Sequence, residues 1–269
     1  MAVRTDGRMS KVAQLPEEEF QKWLWEQLEK REFMYGYRFQ YEEVQQLIYE
    51  ILFLEQEMQV EEIEQFFIPF GQSGYLSIRR KFELILFVLE KEIQGGAMFF
   101  LEEMGYQEMM TEEWIEALYL EWSLEDRLIL SPEERKEFFV QTLADQFCFG
   151  VVEVLARVAR DGILLGELCP PLFKDEPIDR RAAVCSNGMI IRIPFLGVEE
   201  QEELIRIVKG IIAKENKGEL TAINPIWECV KEDGTCITAV RPPASKNWGI
   251  RILYGAARKE KQEWQIQIS

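Results

Sequence analysis

The first half of the chain repeats apolar residues three and four positions apart, which is the period of an amphipathic α-helix. Such patterns begin at five points, namely Pro16, Tyr41, Val60, Ser77 and Thr111. A weaker candidate covers Ala97–Met104. The run Leu84–Leu89 is apolar on all sides, which places its helix at the centre of a bundle. We therefore predict a helical domain over residues 16–128, preceded by a mobile N-terminus at residues 1–15.

A clear helix start follows at Ser131-Pro132-Glu133-Glu134. The serine is suited to the N-cap position, proline to the first helical position and Glu134 to the third, and together they predict a capping box. The helix should be bent or divided at Gly150 and end near Asp161-Gly162. We place a domain boundary just before this helix, so that residues 129–258 form a second domain and residues 259–269 a polar tail.

Further along the chain, short β-patterned runs replace the long helical patterns. Asn187-Gly188 and Asp233-Gly234 each join two such runs, and both dipeptides are typical of tight hairpin turns. Gln201–Lys214 between them is amphipathic and helical, and Trp248–Leu253 is a further strand. This order predicts an α+β fold, in which the helical domain precedes a small α/β sandwich with an antiparallel sheet.

The hairpin around Asp233-Gly234 also has a predicted register. If these two residues form the loop, the facing pairs are Val230–Ile237, Glu228–Ala239 and Trp227–Val240. Both faces of the hairpin then carry apolar side chains. We therefore expect the hairpin to lie inside a domain.

Composition restricts the possible functions. The 269 residues contain 31 basic and 48 acidic side chains, a formal net charge of −17, so a basic surface for nucleic acid or anionic lipid is not expected. The chain contains no histidine. This excludes Ser-His-Asp and Cys-His catalysis and every metal site that needs an imidazole. We expect no catalytic residues and no metal ligands.

The cysteines and the longest apolar run bear on location. The five cysteines are Cys148, Cys169, Cys185, Cys229 and Cys236. Their number is odd, no Cys-x-x-Cys pair occurs, and the first residues do not resemble a signal peptide, so we expect reduced thiols in a cytoplasmic protein. Leu84–Leu89 is far shorter than the roughly 20 apolar residues that cross a bilayer, so no membrane insertion is expected.

The segment after residue 220 carries a series of motifs in a defined order. They are Asn224-Pro225, Asp233-Gly234-Thr235, Arg241-Pro242-Pro243, Ser245 and Ile250-Arg251-Ile252. This order resembles the N-terminal domain of the type II/type IV secretion ATPases, the hexameric motors of pilus assembly and conjugation, and most of all their tight-adherence pilus branch. The resemblance extends back to about Ser131 and implies the same α+β fold for that part.

The resemblance also implies roles for two arginines. Arginines of the family's N-terminal domain lie over the nucleotide held by the RecA-like motor domain, and Arg241 and Arg251 match the Arg-Pro-Pro and Ile-Arg positions. The alternative for these residues is ion pairing with acidic neighbours, for example Glu228 near Arg241. The phosphate-binding pattern Gly-x-x-x-x-Gly-Lys-Ser/Thr of the motor domain does not occur in the chain. ATP·Mg is therefore expected only together with a partner ATPase domain.

These features predict a non-catalytic accessory or interaction module of a pilus, secretion or conjugation system. Its expected partners are a secretion or pilus ATPase or its own copies. Two alternatives stay open. The chain could be a subunit of a split secretion ATPase that contacts nucleotide held by a separate RecA-like chain, or a helical scaffold unrelated to secretion.

Overall fold

The computed structural model describes residues 12–35, 40–67, 76–93, 100–101, 108–168, 175–215 and 217–255. Helices dominate the first part of the chain, and six antiparallel strands follow. The predicted α+β class, with the helical part before the sheet, is confirmed.

The helices in the described part of the chain follow the predicted starts closely. They are α1 (Glu17–Tyr35), α2 (Tyr41–Tyr49), α3 (Val60–Phe67), α4 (Ile78–Glu92), α5 (Glu112–Leu124), α6 (Pro132–Phe147), α7 (Val151–Val158) and α8 (Gln201–Glu215). A π-helical segment, Glu50–Glu55, continues α2. No single one of these helices is both long enough and apolar enough to cross a membrane, and α6 and α7 meet that criterion only when counted together.

Side-chain caps explain where two of the helices begin. The Thr111 hydroxyl accepts a hydrogen bond from the Trp114 amide at 3.3 Å at the start of α5. At the start of α6, the Ser131 hydroxyl accepts from the Glu134 amide, and the Glu134 carboxylate accepts from the Ser131 amide at 2.8 Å. The predicted capping box is confirmed, and it satisfies amide groups that the first turn of a helix leaves unpaired.

The strands form one sheet in the order β3-β2-β1-β6-β5-β4. Their bounds are β1 (Gly162–Gly166), β2 (Ala182–Ser186), β3 (Met189–Arg192), β4 (Ile226–Val230), β5 (Cys236–Val240) and β6 (Gly249–Leu253). The central strand β1 was not predicted: the helix was expected to end near Asp161-Gly162, but it ends at Val158, and no element was assigned to the residues after Gly162. All five of its residues are buried, so its apolar run shows no alternation that could distinguish a strand from a helix.

The first predicted hairpin is confirmed. β2 and β3 are joined by Asn187 and Gly188, whose φ angles of 51° and 75° are the positive values that a type I′ turn needs. Asparagine and glycine are the residues that adopt this conformation most readily.

The register of the second hairpin differs from the prediction by one residue. The observed pairs are Trp227–Ala239, Glu228–Thr238, Cys229–Ile237 and Val230–Cys236. The loop has three residues, because the Lys231 amide donates to the Thr235 carbonyl and the Gly234 amide donates to the Lys231 carbonyl. Gly234 has φ 79° and supplies the left-handed residue that closes a three-residue hairpin loop.

One face of the sheet is buried across every strand. Its residues include Ile163, Leu165, Ala182, Val184, Ile191, Trp227, Cys229, Ile237, Ala239, Ile250 and Ile252. The prediction for α4 also agrees with the structure, since every residue from Lys81 to Leu89 is buried. The buried charged residues on this helix, Lys81 and Glu83, are paired with oppositely charged side chains.

The chain divides into two compact units, Met1–Ser77 with Ile129–Cys148, and Ile78–Leu128 with Phe149–Ser269. In the first unit, the Tyr41 hydroxyl donates to the Asp145 carboxylate at 2.5 Å, which ties α6 to α2. In the second unit, the Met110 amide donates to the carbonyl of Arg192, the last residue of β3, at 2.8 Å. Each unit therefore contains chain segments from before and after residue 129, whereas the predicted domains 16–128 and 129–258 divide the chain at that point. The start of a helix in the sequence does not show which other helices it packs against, so it does not locate a domain boundary.

The predicted terminal segments are only partly described. Within residues 1–15, Val12–Gln14 form a 3-10 turn in which Val12 and Ala13 are buried. The predicted polar tail, residues 259–269, and most of the candidate helix Ala97–Met104 lie outside the described residues. Gly150, with φ 59°, separates α6 from α7 as expected.

Candidate interaction site at the edge of the sheet

The strand β4 is the last strand of the sheet on one side. The exposed fractions of Ile226 and Val230 are 56% and 62%, and Glu228 between them is also exposed, whereas Trp227 and Cys229 are buried. The prediction that this hairpin lies inside a domain is wrong for β4, which is exposed on one face, whereas β5 is buried from Ile237 to Val240. We call Ile226, Glu228 and Val230 the open edge.

The open edge also presents backbone groups. Between β4 and β5, backbone hydrogen bonds join the facing residues Pro225 and Arg241 at one end of the hairpin and Lys231 and Thr235 at the other. Hydrogen-bonded and non-hydrogen-bonded pairs alternate along an antiparallel ladder. The backbone amides and carbonyls of the open-edge residues, which belong to the non-hydrogen-bonded pairs, therefore point away from β5. The Val230 carbonyl accepts a hydrogen bond from the Lys217 side chain at 3.3 Å. In the described part of the chain, no further strand pairs with the outer side of β4.

The sheet face that contains the open-edge side chains continues across the other strands. Thr238, Arg251, Leu164 and Ala183 stand side by side on neighbouring strands, beginning next to Glu228. Leu164 and Ala183 are buried and form a small apolar cluster, with Cys185 and Ile190 packed against it. Apolar patches on this face are therefore separated by the polar pair Thr238 and Arg251.

The motif Asp233-Gly234-Thr235 builds the turn at one end of the hairpin. The Asp233 carboxylate accepts a hydrogen bond from the Thr235 amide at 2.8 Å, which closes the turn locally. Thr235 is buried, and its hydroxyl accepts from the Gly255 amide at 3.4 Å. The turn is thus held against the chain that leaves β6.

Replacing Gly255 with alanine tests this contact. A Cβ atom at this position would lie 1.9 Å from the Asp233 carbonyl oxygen, so the backbone of one segment has to move. We expect Gly255→Ala to lower the free energy of unfolding by about 1–3 kcal/mol, measured by urea denaturation. Thr235→Val, which replaces the hydroxyl with a methyl group, is the control for the lost hydrogen bond and should cost less. Equal stability of Gly255→Ala and the parent protein would contradict this close approach.

The remaining motif residues gather at the other end of the hairpin. The Asn224 amide donates to the Thr221 hydroxyl at 3.0 Å, and the Pro225 carbonyl accepts from the Arg241 amide at 3.0 Å. The Pro242–Pro243 peptide bond is cis, and the Ser245 hydroxyl donates to the Asn247 carbonyl. Since β4 is five residues long, the two ends of the hairpin are about 17 Å apart. The motif residues therefore form two clusters rather than one site.

Arg241 is held against an aromatic ring. Its guanidinium lies 4.9 Å from the centre of the buried Trp248 ring, and the Lys209 ammonium lies 6.0 Å from the same ring. The Arg241 Nε atom is buried and has no hydrogen-bond partner in the described residues. The alternative ion pair with Glu228 does not form, and Glu228 is exposed on β4. Cation–π contact rather than charge pairing positions Arg241.

Arg251 lies at a different place. It is exposed in the middle of β6, opposite Thr238, and donates a hydrogen bond to the Thr238 hydroxyl at 3.3 Å. Arg241 follows Thr238 by three residues, which is about 10 Å along a strand. The structure therefore does not bring the two predicted nucleotide-contact residues together in one pocket of this chain.

One cysteine of this sheet face, Cys185, has a shifted pKa. Burial raises the pKa of the Cys185 thiol, the negative charge of Asp161 adds to this, and Arg251 opposes it. A thiol with a raised pKa is a poor nucleophile at neutral pH. In the residues that the structure describes, no group of three or more Cys, Asp or Glu side chains is placed to hold a metal ion.

Comparison with known proteins adds no assignment: no protein-family model matches the chain, and no curated protein matches it. The candidate site therefore stands on its geometry. Ile226 and Val230 were not singled out from the sequence, because an apolar residue in a short strand looks the same whether the strand is central or at an edge.

Proposed function

We propose that this chain is a non-catalytic interaction module of a pilus, secretion or conjugation machine in the cytoplasm. The observation that carries the proposal is the open edge. It lies within the same three adjacent strands, β4, β5 and β6, that contain the motifs resembling a secretion-ATPase N-terminal domain. The partner is the RecA-like motor domain of such an ATPase.

The chemistry of the open edge supports a docking role. Edge strands of soluble proteins are usually blunted by lysine, proline or bulges, because free backbone groups beside apolar side chains invite pairing with other chains. β4 instead carries Ile226 and Val230 on either side of one carboxylate. A partner can pair with the backbone of Glu228 and cover both apolar side chains at once.

Light scattering tests the proposal. The full chain is mixed with the motor domain of a tight-adherence pilus ATPase that has been expressed without its own N-terminal domain, with and without ATP·Mg. We expect a complex that the protein alone does not form. The double variant Ile226→Lys/Val230→Lys should raise the dissociation constant at least about tenfold, because it replaces buried apolar contacts with charge at the interface.

The matched control is Ile223→Lys, which changes an exposed isoleucine that precedes β4. It should alter the dissociation constant by less than about threefold. A protein that stays monomeric and forms no complex in any of these mixtures refutes the proposal. A complex of this chain with itself that the open-edge variant abolishes would replace the motor partner with a second copy.

A second candidate function rests on the exposure of Arg251. Arg251 is exposed on the sheet face that contains the open-edge side chains and could reach nucleotide bound to another chain, as in a split secretion ATPase, whereas Arg241 is held by Trp248. In the same mixture, Arg251→Ala would then lower ATP turnover and leave complex formation intact. Unchanged turnover would leave the chain as an accessory module only.

A further inference from the structure

Helix α5 has two apolar faces. Its inner face contains the buried residues Ile115 and Trp122, and the Trp114 ring packs 4.8 Å from the Phe100 ring. This face accounts for the attachment of α5 within its unit. The outer face is also apolar at its centre, although it is open to solvent. Such a second apolar face has no role in holding α5 in place.

The outer face contains Ala117, Leu120 and Leu124, which we call the α5 stripe. These positions are three and four residues apart, so they align on one side of the helix. All three residues are exposed, and the exposed fractions of Leu120 and Leu124 are 61% and 78%. Two exposed leucines in register on one helix form a continuous apolar surface, which marks a contact site more reliably than scattered single residues do.

Glutamates border the α5 stripe. At about 100° per residue, Glu113 lies at its N-terminal end, Glu116 on one side and Glu121 on the other. Both Glu116 oxygens accept hydrogen bonds from the Lys81 ammonium at 2.6 Å. Glu113 and Glu121 are exposed, and neither forms an ion pair within the described residues. The helix itself contains no lysine or arginine.

The glutamates beside the α5 stripe determine which kind of partner can bind there. A second α5 would place glutamates against glutamates, and an anionic lipid surface would be repelled in the same way. A helix with leucine-like residues in one stripe, and with lysine or arginine at the positions that face Glu113 and Glu121, complements the α5 stripe in shape and in charge. Parallel or antiparallel packing of two such helices buries the stripes and leaves the ion pairs at the rim.

We infer that the α5 stripe is a docking site for a basic amphipathic helix of another protein. The leucines supply the buried centre of the contact, and Glu113 and Glu121 orient the incoming helix and reject acidic ones. This inference does not depend on the function proposed above, because the α5 stripe and the open edge lie on different secondary-structure elements and share no residue.

Fluorescence anisotropy with the full chain tests the inference. The probe is a labelled synthetic helix of about 18 residues with leucines spaced three and four apart and lysines on both sides of the leucines. A sister peptide carries glutamate at every lysine position. We expect the lysine peptide to bind at least about tenfold more tightly than the glutamate peptide, and more weakly as salt is added.

Two double variants separate the apolar and the charged contributions. Leu120→Ser/Leu124→Ser should raise the dissociation constant of the lysine peptide at least about tenfold. Glu113→Lys/Glu121→Lys should weaken the lysine peptide and strengthen the glutamate peptide. The matched control is Glu199→Lys/Glu200→Lys, which makes the same change in net charge at two exposed residues before α8 and should alter binding less than about twofold.

Three results would overturn the inference. These are equal binding of the two peptides, no binding of either peptide, and unchanged binding by the leucine variant. Sedimentation of the chain alone supplies a further check. If the chain forms a dimer that Leu120→Ser/Leu124→Ser dissociates, the α5 stripe belongs to an interface between copies, and the assignment to a basic helix is wrong.

Discussion

Replacing both Arg79 and Arg80 with methionine is expected to destabilise the protein by about 3–5 kcal/mol near neutral pH. Arg79 and Arg80 both donate hydrogen bonds to the carboxylate of Glu83 on α4, Arg79 at 3.0 Å. Glu83 is buried, with only 2% of its surface exposed. The double variant leaves this carboxylate in the interior without the charges that compensate its lost hydration.

The contribution of Glu83 to the pH dependence of stability should change sign in this variant. Burial alone raises the pKa of Glu83, but the charges of Arg80 and Arg79 and their hydrogen bonds outweigh it and lower the pKa below the ordinary value of 4.5. In the parent, this stabilisation is present above pH 4.5 and is lost as the pH falls through the lowered folded-state pKa. Without the arginines, burial dominates, the folded state binds the proton more tightly, and acid relieves the destabilisation.

Urea denaturation across the range from neutral to acidic pH measures both effects. Adding Glu83→Gln to the double variant removes the charge and should restore part of the lost stability near neutral pH, because the uncompensated carboxylate is then absent. This triple variant should also show no Glu83-dependent acid recovery. If the parent and the double variant lose stability in parallel as the pH falls, Glu83 does not have the lowered pKa that its two arginine contacts imply.

The sequence predicted correctly the features that depend only on residues close together in the chain. The Ser131–Glu134 capping box and the Asn187-Gly188 turn depend on residues at most three positions apart, and both form as predicted. The apolar run on α4 also identified a buried helix, since a helix without a polar face has to be covered all round.

Long-range pairing decided the features that were not predicted. β1 is recognisable as a strand only because β2 and β6 pair with its two sides. The one-residue shift at Gly234 reflects loop length, since an Asp-Gly pair is compatible with both two-residue and three-residue loops. Neither the neighbours of a strand nor the length of a loop is encoded in its own apolar pattern.

The candidate site also combines local features that the sequence predicts with long-range features that it does not. The motif residues at the two ends of the hairpin were named from the sequence, and the structure gives each a clear local role in a turn or a loop. The exposure of Ile226 and Val230 could not be foreseen, because it follows from the position of β4 at the end of the strand order. The separation of Arg241 from Arg251 likewise depends on the hairpin register and on the position of Trp248.

The second large effect is expected for Phe82→Ala, which should lower the free energy of unfolding by about 3–5 kcal/mol. The Phe82 side chain is fully buried on α4, and its ring lies 5.6 Å from the Phe100 ring and 5.3 Å from the Phe195 ring, both in edge-on orientation. Phe195 belongs to the 3-10 turn Pro194–Leu196 that follows β3. Removing Phe82 therefore takes away one aromatic contact to the chain after β3 and one to the residues before α5.

The matched control for Phe82→Ala is Phe33→Ala at the end of α1, where 88% of the side chain is exposed. This variant should change stability by less than about 0.5 kcal/mol, because no buried contact is lost. Phe82→Leu should fall between the two, since it retains most of the apolar volume but not the edge-on ring contacts. Comparable losses for Phe82→Ala and Phe33→Ala in urea denaturation would mean that the buried ring contacts of Phe82 with Phe100 and Phe195 do not stabilise the fold.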